Sequence, residues 1–182
     1  MNLEEKQLTA EYIFEGKIIK VRRDTALLPN GNTAFREVVE HNGGVCVLPL
    51  TDKDEVLMVR QFRYPYSELV LEIPAGKRDY KDEEPLDCGK RELKEETGAT
   101  AREFIPLGEL YPTPGYCGEI IWMFLATGLT FGDTDFDEDE FLNIEKIPFE
   151  KCVEMVMSGE LKDAKTQAAI LKTKYLKDCG KI

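Results

Sequence analysis

Carboxylates are the main chemical resource of this chain, which has 35 Asp and Glu side chains but one histidine. His41 alone leaves no histidine cluster for zinc and little room for two-histidine chemistry. The five cysteines (Cys46, Cys88, Cys117, Cys152, Cys179) are odd in number and never form a C-x-x-C pair. That pattern fits reduced thiols in a cytoplasm better than a disulfide framework or a thiolate zinc site. The densest chemical grouping is Arg91-Glu92-Leu93-Lys94-Glu95-Glu96-Thr97-Gly98. On a helix, positions i, i+3 and i+4 share a face, so Glu92, Glu95 and Glu96 project together. Leu86, Gly89 and Leu93 fall on a second stripe, where the glycine permits close packing. Two readings stand at this point. One is a solvated acidic face, whose like-charge pairs cost only about 0.2–0.5 kcal/mol each. The other is an oxygen site for a hard divalent cation, with Arg91 orienting a carboxylate. The preceding Glu72-Ile73-Pro74-Ala75-Gly76 reads as a strand ending in a tight glycine turn that can aim a backbone carbonyl at the helix. A second acidic run, Asp133 to Glu140, imitates an EF-hand start. It fails that pattern, because the sixth position is Glu138 rather than Gly and the twelfth is Ile144 rather than Glu.

These residues need a scaffold, and 182 residues suffice for one domain with a small appended element. The composition, 42% hydrophobic and 32% charged, is that of an ordinary globular chain. A net charge of −11 argues against a general nucleic-acid binder. The apolar run Ile120–Ala126 is far short of the roughly 20 residues of a membrane span and reads as a buried strand. The charged N-terminus shows no signal-peptide core. Alternation over residues 11–40 around Pro29-Asn30-Gly31 predicts an antiparallel meander. Val45–Leu50 and Glu55–Phe62, either side of Thr51–Asp54, predict a second hairpin. A helix is expected from Glu84-Pro85 to Gly98. Strands follow near Phe104–Leu110, Glu119–Gly128 and Leu142–Ile147, and helices near 149–157 and 163–177. The mixture predicts an α/β or α+β sandwich. The expected division is residues 1–40 as an N-terminal β element and 41–182 as the main domain.

The segment from Gly76 resembles the Nudix box, Gly-x5-Glu-x7-Arg-Glu-U-x-Glu-Glu-x-Gly-U with U a bulky aliphatic. It is matched by Gly76, Glu83, Arg91, Glu92, Leu93, Glu95, Glu96 and Gly98. Six residues rather than five separate Gly76 from Glu83, which bears on the role of Glu83, and Ala99 is smaller than the usual final aliphatic. Gly16–Glu40, Val59-Arg60-Gln61-Phe62-Arg63-Tyr64-Pro65, Glu72–Gly76, Thr113-Pro114-Gly115 and Asp137–Phe141 resemble the ADP-ribose pyrophosphatase branch of the Nudix hydrolases. Pro114, sixteen residues beyond Gly98, is a mark of that branch. Enzymes for GDP-mannose, UDP-sugars or oxidised nucleoside diphosphates share much of the pattern.

The resemblance implies an α/β/α sandwich around a mixed sheet and Mg²⁺-dependent hydrolysis of ADP-ribose to AMP and ribose 5-phosphate, with Mn²⁺ a possible substitute. It implies metal ligation by the Ala75 carbonyl, Glu92 and Glu96, with Glu95 assisting. It makes Glu138 the general base and Glu140 a second loop carboxylate. Arg63 becomes the diphosphate contact, whereas Arg60 divides equally between that role and a surface salt bridge. Glu119, in the Tyr111–Glu119 loop, is a specificity candidate. Glu72 is expected to anchor Arg91 rather than touch substrate, and His41 to be structural. A homodimer through the N-terminal strands is implied, with Tyr12, Phe14, Arg22 and Arg23 reaching toward a partner's site. The substrate is then a nucleoside diphosphate sugar, with no nucleic acid or membrane partner. The charge fits this reading: residues 72–145 hold 19 acidic and 7 basic side chains, and the remainder is nearly neutral with 16 and 17.

Overall fold

The computed structural model describes residues 2–134 and 141–182. It divides the chain into two compact units, Met1–Gly43 with Tyr111–Ile120, and Gly44–Leu110 with Ile121–Ile182. In the first, β1 (Lys6–Glu15), β2 (Lys20–Leu27) and β3 (Thr33–Glu40) form an antiparallel sheet in that order. The turn at Pro29-Asn30-Gly31 is closed by the Gly31 N–H donating to the Leu28 carbonyl at 2.9 Å, with Gly31 at φ 87°. That conformation favours a residue without Cβ. The 111–120 segment completes this unit, with the Val39 N–H donating to the Tyr116 carbonyl and the Gly118 N–H to the Val39 carbonyl.

The second unit contains two sheets. One is mixed, in the order β7 (Ala75–Lys77), β4 (Gly44–Pro49), β9 (Ile121–Phe131), β8 (Ala99–Leu110). Only β4 and β9 pair in parallel. The other is antiparallel, in the order β10 (Leu142–Pro148), β5 (Glu55–Arg63), β6 (Glu68–Glu72). Strands β4 and β5 therefore do not form the expected hairpin. The Thr51–Asp54 turn is present, but only Leu50 and Val56 bridge across it. Both strands are buried on both faces, from Val45 to Leu48 and from Val56 to Val59, and each becomes the centre of its own sheet.

Side-chain alternation along β4 and β9 separates two cores. Cys46, Leu48, Met123 and Leu125 pack with Phe149, Cys152 and Met155 of α2 (Phe149–Met157) and with Ala169 and Ile170 of α3 (Ala164–Asp178). Val45, Val47, Phe124 and Ala126 pack with Cys88 and Leu93 of α1 (Pro85–Thr97). Helices thus cover both faces in an α/β/α sandwich, and α1 is the only helix on its side among the described residues.

Pro85 occupies the first position of α1, and Gly98 ends it at φ 66°. A Cβ at Gly98 would stand 2.4 Å from the Gly132 carbonyl oxygen, so glycine is required there for space as well as for conformation.

Candidate active site

Burial decides the first ambiguity about α1. Glu92 and Glu96 are 7% and 1% exposed, so this is not a solvated acidic face. Only Glu95 remains half-exposed. Buried carboxylates require partners, and the neighbouring strand β7 supplies one partner and one space. The Ala75 N–H donates to Glu96 Oε2 at 3.0 Å. Gly76 leaves room for Glu92: a Cβ there would lie 1.9 Å from Glu92 Cδ and 2.0–2.1 Å from its oxygens. Gly76 is not the tight turn expected of it. It is a β7 residue paired with Val45, without a positive φ, and its missing side chain serves the approach of the carboxylate.

Arg91 gathers the remaining charge. Its Nη1 donates to Glu92 Oε1 at 2.8 Å and to Glu95 Oε2 at 3.1 Å. Its Nη2 donates to the Lys77 carbonyl at 3.2 Å and to Glu83 Oε1 at 3.4 Å. Nε is buried without a hydrogen-bond partner. Burial by itself lowers the pKa of this guanidinium, and the adjacent carboxylates, Glu92 foremost, more than reverse the effect. Arg91 is thus a fixed cation. Glu83 also accepts the Asp79 N–H at 2.8 Å, so the loop with the extra residue closes on the glutamate at its end. Arg78 donates from Nε to the Glu83 carbonyl at 2.8 Å and lies 4.7 Å from the centre of the Trp122 ring.

Glu72 does not anchor Arg91. It is 2% exposed and accepts Arg63 Nε and Nη2 in a bidentate pair at 2.6 and 2.8 Å, together with Lys165 Nζ. Strand register does not account for this pair, since Glu72 is opposite Val59 and Arg63 opposite Glu68; the two side chains meet from opposite ends of the β5–β6 ladder. Burial pushes the Glu72 carboxyl up, and Arg63 and Lys165 together bring it below its ordinary value. Arg60 pairs with Glu145 across β5 and β10, at 2.5 and 3.2 Å. This is the salt-bridge alternative for Arg60. Glu119 lies in the first unit, 3.6 Å from His41 Nδ1, which also accepts the Gly43 N–H. The expected loop carboxylates Glu138 and Glu140 lie outside the described residues.

Lys165 and its neighbours Asp163 and Thr166 are functional candidates that sequence reasoning missed. The one local signal that could have pointed to them is the preference of Asp for the N-cap position, which Asp163 occupies ahead of α3. Among the described residues, no three carboxylate, thiol or imidazole side chains are gathered into a group able to hold a metal ion. The donor chemistry nevertheless suits a hard divalent cation: three carboxylates of one helix, two of them buried, one lying against bare backbone at Gly76.

An α/β/α sandwich in which one helix presents this Glu-Arg constellation to a glycine strand has the architecture of a Nudix domain. The chain belongs to the Nudix hydrolase family: the NUDIX domain model matches residues 40–169, and the model of the nucleoside diphosphate sugar hydrolase N-terminal domain matches residues 5–39. Among its relatives is an ADP-ribose pyrophosphatase of Bacillus subtilis, 43% identical over 93% of this chain and 92% of that protein. A methanol dehydrogenase activator of Bacillus methanolicus is 36% identical, over 92% and 91% respectively. A GDP-mannose pyrophosphatase of Salmonella typhimurium is 34% identical, over 79% and 80%. The fold matches that of a crystal structure of an ADP compounds hydrolase, with a TM-score of 0.85 and 22% identity over the whole of both chains. The family is one of divalent-metal-dependent hydrolases.

Proposed function

We propose that the protein hydrolyses the diphosphate bond of ADP-ribose, releasing AMP and ribose 5-phosphate, with Mg²⁺ as its metal. The observation that carries this reading is the buried Glu92–Glu96 pair, with Glu95 and Arg91, packed on Ala75 and Gly76. Relatives named for ADP-ribose and GDP-mannose narrow the substrate class to nucleoside diphosphate sugars. Glu92, Glu96 and the Ala75 carbonyl would hold the ion, with Glu95 assisting. Bound there, Mg²⁺ neutralises the diphosphate and lowers the pKa of the attacking water.

The remaining work belongs to the protein. Arg91 keeps Glu92 and Glu95 from turning away. Arg63, fixed by Glu72 but with its side chain 38% exposed, offers a guanidinium suited to phosphate oxygens. Glu138 takes the proton of the attacking water, and Glu140 is the second loop carboxylate, able to contact the metal. Glu119 contributes to specificity. We place the enzyme in the cytoplasm, as a homodimer built through the N-terminal strands. Strand β1, exposed along its whole length with Leu8, Tyr12, Ile13 and Phe14 in the open, supports that assembly.

The test is a panel of ADP-ribose, GDP-mannose, UDP-sugars and oxidised nucleoside diphosphates, assayed with Mg²⁺, Mn²⁺ and EDTA. ADP-ribose should give the highest kcat/KM, and E92Q or E96Q should remove activity. A preference for another sugar nucleotide would move the substrate assignment. Turnover of none would refute the hydrolase reading, and undiminished function in E92Q and E96Q would favour a nucleotide sensor.

A further inference from the structure

Glu72 takes hydrogen bonds from two cations at once, Arg63 on β5 and Lys165 in the first turn of α3. Lys165 is itself buried and also meets Asp163 Oδ1 at 2.9 Å. Asp163 caps α3, accepting the Thr166 N–H at 2.9 Å and the Thr166 hydroxyl at 2.6 Å. The Thr166 oxygen in turn accepts the Ile73 N–H at 3.0 Å. One helical turn, far along the chain, therefore holds both the side chain of Glu72 and the backbone of the next residue. This grip lies just before Ala75 and Gly76.

A buried lysine is rare unless it is paired, and an apolar side chain would fill the same space. Charge is what Lys165 adds. Arg63 and Glu72 alone would form a neutral bidentate pair with little attraction left for an anion. Lys165 and Arg63 together balance Glu72 and Asp163, and without Lys165 the remaining groups would carry one net negative charge beside Arg63.

We infer that Lys165 is a positioning residue for substrate: by sharing Glu72 it orients Arg63 and leaves its charge available to an anionic diphosphate. This inference rests on the function proposed above, in which Arg63 contacts the diphosphate.

The test compares wild type, K165M and the double variant E72Q/K165M as full-length proteins with Mg²⁺ and ADP-ribose, with thermal melts alongside. K165M should raise KM by roughly tenfold, the scale of one partly screened charge near an anion. Its kcat should change less than about threefold. The double variant returns the sum of these charges to zero, with Arg63 and Asp163 remaining, and its KM should return to within about threefold of wild type. Should K165M not fold, K165Q replaces it, retaining a hydrogen-bond donor without the charge. An unchanged KM in the single variant, or an equal rise in single and double variants, would mean that Lys165 only packs α3 and would overturn the inference. If wild type cleaves no nucleoside diphosphate sugar, the functional reading fails separately. The inference is then decided by calorimetric binding of ADP, which K165M should weaken and the double variant restore.

Discussion

Replacing Gly76 by alanine separates the chemistry of α1 from its stability. The added Cβ would lie 1.9 Å from Glu92 Cδ, whereas ordinary contact begins near 3.4 Å. The carboxylate must therefore retreat by about 1.5 Å. Gly76 is not in the positive-φ region, so alanine meets no backbone strain there. The obstacle is the far end of one side chain, which places the stability cost near the lower end of the 1–3 kcal/mol typical of overpacking. For a domain of this size that is a melting shift of about 2–4 °C. The catalytic cost should be much larger, because a misplacement of about 1 Å can cost 10²-fold in rate. Steady-state hydrolysis of ADP-ribose with saturating Mg²⁺ should show kcat/KM down by about 10²-fold in G76A. G89A provides the contrast on the other side of the helix. Its Cβ would stand 2.9 Å from Val45 Cγ1 and 3.3 Å from Val47 Cγ2, so it loads the apolar core without touching a carboxylate. G89A should melt lower than G76A yet keep its rate within about fivefold. A G76A enzyme within threefold of wild-type kcat/KM would refute the view that Gly76 exists to admit Glu92.

Two further predictions concern Arg91 and the thiols. R91Q removes the cation shared by Glu92, Glu95 and Glu83, so in EDTA its melting temperature should fall by several degrees. Mg²⁺ should then raise that temperature more than it does in wild type, and equal shifts in scanning fluorimetry would count against the counter-cation role. Burial pushes the thiols of Cys46 and Cys88 up to about 12 and that of Cys152 up to about 11. A disulfide reagent at pH 8 should modify exposed Cys179 first and reach these three only after denaturant is added; rapid modification of any of them would contradict the packing. Their folded values lie above the unfolded thiol value, so their stabilisation is complete below about pH 9 and is lost as pH rises toward 11–12. Urea midpoints should fall over that window, by up to about 1.4 kcal/mol per pH unit for each thiol.

What the sequence made legible was local. Pro85 and Gly98 bound α1 because both act through their own backbone conformations, and the spacing of Glu92, Glu95 and Glu96 follows from helix geometry alone. The Asn30-Gly31 turn was visible for the same reason. Long-range pairing was not. Val45–Leu48 and Val56–Val59 look like two arms of a hairpin, and only the competing partners β9 and β10 show why they separate. The role of Gly76 was misread because a glycine after proline and alanine suggests a turn, whereas its function depends on a side chain sixteen positions later on another element. The Arg63 and Lys165 partners of Glu72 are not legible in the sequence, because one side chain reaches it from the far end of the β5–β6 ladder and the other arrives from α3.

The negative charge of residues 72–145 is now divisible into parts that differ physically. Glu72, Glu92 and Glu96 are buried, and the structure pairs each in its own way. Glu72 meets two side-chain cations, Glu92 meets Arg91, and Glu96 meets the Ala75 N–H. These pairings matter because several uncompensated carboxylates at such depth would be too costly to remain ionised. Arg91 thus keeps the constellation formed before any metal arrives. A divalent ion entering at Glu92 Oε1 would compete with Arg91 for that oxygen, whereas phosphate oxygens brought by substrate would add ligands that Arg91 does not contest. The arrangement therefore favours metal held jointly by protein and substrate over metal held by the protein alone, which is how Mg²⁺ sites with few protein ligands commonly work.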